Sequence, residues 1–95
     1  MKIDVFCHIL PPSYYQRMIA ISGRSAHLQK RVREIPVMVD LDLRLRMMDQ
    51  FGDYVQVLSL AAPPIEVLAA PEDAPARAPL ANDGMAEIGG KRPDR

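Results

Sequence analysis

The segment Tyr54–Leu60, YVQVLSL, constrains the fold more than any other stretch of this chain. It is rich in β-branched and large apolar residues, and its polar residues do not alternate with apolar ones. A strand of that composition needs cover on both faces, the situation of a parallel sheet flanked by helices. A parallel partner requires a crossover connection, and the chain offers a candidate near its start. Residues 3–7, IDVFC, read as a short buried strand, and Pro11 and Pro12 stop it because neither can donate to a sheet ladder.

Two helices are expected between these strands. Residues 12–21 place Tyr14, Met18 and Ile21 three to four apart, with Ser22-Gly23 as the stop. The stronger signal covers residues 40–51. Asp40 is placed to cap it, and Gly52 follows where a left-handed residue is wanted. Leu41, Leu45 and Met48 share one face, which Met47 and Phe51 extend, while Asp42, Arg46, Asp49 and Gln50 gather opposite. Arg44 falls inside the apolar arc, as a side chain that snorkels to water or as a cation held at a buried ion pair or domain seam. Strand, helix, helix, strand is the order of a right-handed crossover.

Pro71, Pro75 and Pro79 then recur among alanines. Proline is tolerated in a helix's first turn but costs about 3 kcal/mol in its interior. The last helix is therefore expected over residues 79–88, on a stripe of Leu80, Gly84 or Met85, and Ile88, with Gly89-Gly90 ending it.

Ninety-five residues suit a single small domain. Twelve basic residues balance twelve acidic ones. No strong field would recruit nucleic acid or an acidic membrane, and the Lys30–Arg33 cluster reads as a solvated surface. One cysteine excludes an internal disulfide, and Cys7 has no thiol partner at zinc-finger spacing. With no signal-peptide pattern and no apolar run of membrane-spanning length, a cytoplasmic protein is expected.

Three motifs carry a resemblance: KIDVFCHILPPSYY, DLDLRLRMMDQFGDYVQVLSL and LANDGMAEIGGKRPDR. In this order they resemble the amidohydrolase superfamily, in the branch of aminocarboxymuconate-semialdehyde decarboxylase and related metal-dependent decarboxylases. That branch opens with I-D-x-H-x-H, then I/L-L-P. The resemblance implies the N-terminal portion of a TIM (β/α)8 barrel: an α/β segment of two parallel strands with crossover helices, spanning residues 1–95. It implies metal-dependent hydrolysis (a hydrolase) or nonoxidative decarboxylation (a lyase) of a small carboxylated substrate, with a divalent ion, zinc foremost, as cofactor.

The chemistry of that motif is geometric. Side chains two apart on a strand share a face, so His-x-His can chelate one ion at a barrel mouth. Here His8 is the metal ligand that the resemblance implies, but Phe6 stands in the place of the first His. A regular strand turns Cys7 to the other face. It leaves Asp4 on the face of His8 but about 13 Å away. A barrel needs eight strands and ~250 residues, so the remaining ligands are expected beyond Arg95. No catalytic residue is assigned to this chain.

The residues read alone give a blander account. His8 is then a structural histidine, His27 a surface residue, Cys7 a small buried hydrophobe, and Asn82 and Asp83 helix-surface residues. Ser59 satisfies a backbone group near the turn or lines a pocket. The alternative function is a catalytically inactive remnant that serves as a small structural or interaction module, prone to self-association through uncovered strand edges.

Overall fold

The computed structural model describes residues 1–20, 30–32 and 34–95. The stop expected at Ser22-Gly23, together with Ile21, His27 and Arg33, lies outside these residues. Lys2–Ile9 forms β1 and Tyr54–Leu60 forms β2, paired in parallel as a two-stranded sheet. Between them come α1 (Pro12–Ile19), a 3-10 turn at Pro36–Met38, and α2 (Leu41–Met48), continued by a 3-10 turn at Asp49–Phe51. After β2 follow α3 (Ile65–Leu68) and α4 (Ala74–Lys91). The chain is thus a small α/β domain, and the crossover joins two parallel strands.

β1 runs two residues beyond the expected end because proline alone stops it. His8 and Ile9 pair with Ser59 and Leu60, and the Leu10 N–H turns to the Met38 carbonyl at 2.8 Å. Pro11 then caps α1, with Pro12 at the first helical position, where no donor is required. Leu10, Tyr14 and Met18 are fully buried and join Val32, Ala61, Leu68 and Ala81 in one core cluster. Burying a side chain of that size contributes roughly 1.5–3 kcal/mol, so this knot of β1, α1, α3 and α4 anchors the domain.

α2 starts as expected, with Asp40 Oδ1 accepting from the Leu43 N–H at 2.9 Å. Gly52 ends the segment at φ 70°, on the positive side that favours glycine. The apolar arc is narrower than its spacing implied. Met48 is buried, but Met47 and Phe51 are exposed, because Arg44 takes the central position against the sheet.

The last helix is the largest departure. α4 begins at Ala74, five residues before Pro79, and ends at Lys91, past Gly89-Gly90. Pro75 sits in its first turn, where the missing donor costs nothing. Pro79 lies inside and withholds a hydrogen bond from the Pro75 carbonyl, but both prolines lie on the exposed side, where water can satisfy that carbonyl. The inner side of α4 packs Ala81 into the core and supplies the tertiary contact that carries the helix across its proline.

α4 lies so close to Pro11 that a Cβ at Gly84 would sit 2.5 Å from the proline Cβ. Nothing lies within 4 Å of a Cβ built at Gly90. The two glycines therefore respond oppositely to alanine. Gly84→Ala should destabilise by about 1–3 kcal/mol through overpacking against a rigid ring. Gly90→Ala should stabilise by roughly 0.5–1 kcal/mol through helix propensity and a restricted unfolded chain. Urea midpoints of the two variants check this pair, and equal signs would refute the close packing.

Candidate functional site

The site at the end of β1 is set by an irregularity in its middle. Asp4 pairs with Gln56, but Cys7 pairs with Leu58, so β1 carries one more residue than β2 over this stretch. Such a bulge leaves one backbone amide out of the ladder. Asp4 takes it up: its Oδ1 accepts from the Phe6 N–H at 2.9 Å. The bulge also changes which residues share a face. In register, Asp4, Cys7 and Ile9 lie on the helix-covered face with Gln56, Leu58 and Leu60. His8 lies with Ser59 on the opposite face. The placing of Asp4 beside His8, which a regular strand would give, is therefore corrected.

On the open face, His8 Nδ1 lies 2.7 Å from Ser59 Oγ, and Ser59 Oγ lies 3.0 Å from the Cys7 carbonyl. A carbonyl only accepts, so the serine proton goes to Cys7. The imidazole must then donate from Nδ1, which leaves the Nε2 lone pair as the acceptor of the neutral ring. This arrangement orients a histidine for ligation through Nε2. Both residues stand next to last in adjacent parallel strands. Ser59 thus takes the backbone role, donating to the Cys7 carbonyl, and meets the His8 ring as well.

Phe6 stacks edge-on to His8, with ring centroids 4.9 Å apart and planes at 70°. It is 82% exposed, and Ile3, Val5 and Val57 are exposed on the sheet as well. The cover that YVQVLSL called for reaches one face of the sheet only.

On the covered face, a polar chain runs behind the same residues. Tyr54 donates to Asp4 Oδ2 at 2.7 Å, and Gln56 Nε2 donates to Tyr54 Oη at 3.3 Å. Arg44 Nε donates to Gln56 Oε1 at 2.6 Å. Arg44 Nη1 reaches the carbonyls of His8 at 2.9 Å and Val37 at 3.2 Å. Arg44 is 7% exposed, so it does not snorkel, and no ion pair among the described residues includes it. Histidine 8 is therefore held twice, at its ring by Ser59 and at its carbonyl by Arg44. The hydrogen bond from Tyr54, then that from the Phe6 amide, holds the Asp4 carboxyl below its ordinary range, and the same bond raises the Tyr54 phenol.

Cys7 is 6% exposed, and its Sγ lies 2.9 Å from the Val57 carbonyl. Burial pushes the thiol up, so it is a poor nucleophile. Iodoacetamide at neutral pH should leave Cys7 unmodified in the folded chain and alkylate it fully in denaturant. Fast labelling of the folded chain, followed by mass spectrometry, would contradict this burial.

The donor set does not complete a metal centre. Among the described residues, no group of three or more His, Cys, Asp and Glu side chains converges. Phe6 offers no lone pair beside His8, and Cys7 and Asp4 face away. Asn82 and Asp83 lie exposed on α4, far along the chain from the sheet. No helix among the described residues is long and apolar enough to cross a membrane. No protein-family model matches the chain, and a search of curated proteins returns no significant match.

Proposed function

We propose that this chain is the opening β/α segment of an amidohydrolase-type (β/α)8 barrel of the decarboxylase branch, in which His8 is the strand-one metal ligand. The observation that carries the reading is the His8–Ser59 pair. It fixes a histidine, with Nε2 as its free acceptor, at the carboxyl ends of two parallel strands, where sites of this fold lie. The path of α4 supports it too. The helix returns the chain so that the Arg95 carbonyl accepts from the Gln56 N–H at 2.7 Å, at the second edge of β2, the place of a third strand. The parent activity would be hydrolysis or nonoxidative decarboxylation of a small carboxylated substrate. Further ligands must come from outside the described residues or from a second copy.

A second reading, a catalytically inactive interaction module, is favoured by Phe6 and by the exposed Ile3, Val5 and Val57 around it. One experiment separates the two. The purified chain is sized by light scattering, and each peak is analysed for zinc, manganese and iron. The catalytic reading expects near-stoichiometric metal in an associated species, falling to background in His8→Ala. Metal-free protein in every species would remove metal-dependent catalysis from this chain and favour the module.

A further inference from the structure

A cavity of about 380 Å³ lies between α2, β2 and the end of α4, on the sheet face away from the His8 ring. Leu45, Met85 and Ile88 give it an apolar wall, and Arg44, Arg92 and Arg95 also line it. Among the described residues that line it, none is acidic. A pocket of this size, mostly apolar with a few convergent polar groups, has the makeup of a small-molecule site.

Its charge is unusual in one respect. Arg44 is more than nine-tenths buried, and its bonds go to neutral groups, the Gln56 amide and the His8 and Val37 carbonyls. Asp4, at the far end of the Gln56–Tyr54 chain, acts on Arg44 electrostatically, but no carboxylate among the described residues bonds it directly, and a buried cation held that way is costly. Arg95 adds a buried Nε without a hydrogen-bond partner, although its Nη2 lies 2.8 Å from Asp49. Arg92 holds Asp94 only at 3.4 Å, in a pair that is largely exposed and easily exchanged for another anion. The cavity therefore combines an apolar wall with three guanidinium groups, while the acidic partners of Arg92 and Arg95, Asp94 and Asp49, stand outside its lining.

We propose that this cavity binds a medium-chain apolar monocarboxylate, its tail on Leu45, Met85 and Ile88 and its carboxylate among the arginines. A carboxylate would add a directly bonded anion through charge-assisted bonds, the buried Arg95 Nε being one unpartnered donor for it, and an alkyl chain would cover the apolar wall. The site is separate from the His8 face and does not rest on the barrel reading.

Octanoate is the probe, titrated into the purified chain by calorimetry and by amide chemical shifts, with octanol as the uncharged control. Saturable binding with a dissociation constant below about 1 mM is expected, with shifts centred on α2 and the end of α4. Octanol should bind at least tenfold more weakly. Arg44 holds the fold, so the discriminating variant is Gly89→Leu. Gly89 lines the cavity, and a Cβ there meets nothing within 4 Å. Leucine at that helical position should keep the fold, fill the cavity and weaken octanoate at least tenfold. Absent saturation, equal binding of octanol, or unchanged octanoate affinity in a folded Gly89→Leu chain would each overturn the proposal.

Discussion

Phe6→His should convert a chain with one imidazole on its open face into a zinc chelator. The Phe6 and His8 rings already stand 4.9 Å apart, close enough for two imidazoles to turn their nitrogens toward one ion. The first imidazole holds the ion beside the second, so the second bond forms intramolecularly, and affinity should rise by about 100-fold, the low end for linked sites. Zinc titration followed by calorimetry measures it. Adding His8→Ala should abolish the gain. Adding Ser59→Ala should weaken it by about 10-fold, because the hydrogen bond that orients the His8 ring is removed. A Phe6→His chain that binds zinc no better than the parent would show that the two positions do not converge.

Arg44→Met carries the largest expected effect on stability. Methionine keeps most of the apolar stem but leaves the His8 and Val37 carbonyls and the Gln56 side-chain oxygen without their donor. Loss of about 2–4 kcal/mol is expected, a large share of the 5–15 kcal/mol that holds a typical domain. Arg44→Lys should recover only part of it, since one ammonium cannot span three acceptors in the geometry of a guanidinium fork. Arg46, exposed on the same helix, is the control, and Arg46→Ala should stay within about 0.5 kcal/mol. Urea denaturation with a shared m-value decides it. If Arg44 and Arg46 variants unfold alike, the network does not support the sheet.

Local chemistry was legible in the sequence where it needs only near neighbours. Asp40 caps α2, Gly52 takes the positive φ, and β2 occupies Tyr54–Leu60 as read. What depends on distant partners was not legible. The bulge between Asp4 and Cys7 exists only relative to β2, about fifty residues on, and it decides which face Asp4 takes. Arg44 looked like a break in an apolar arc because its acceptors are two backbone carbonyls and an amide on other elements. Pro79 hid the true start of α4, since a proline on the exposed side of a packed helix costs less than propensity alone implies. At the candidate site, His8 stood out by sequence, and the serine that orients it carried no signal of that role.

The bulge gives β1 a joint. On one side, residues 2–4 are tethered by Asp4 to Tyr54; on the other, residues 7–9 are fixed by burial and by the grip of Arg44 and Ser59. Position 6 falls in the joint, with no pairing partner of its own in β2 and its side chain in solvent. A substitution there has little structure to disturb. A histidine placed there would add a second imidazole beside His8 without drawing on the packing that holds the rest of the strand.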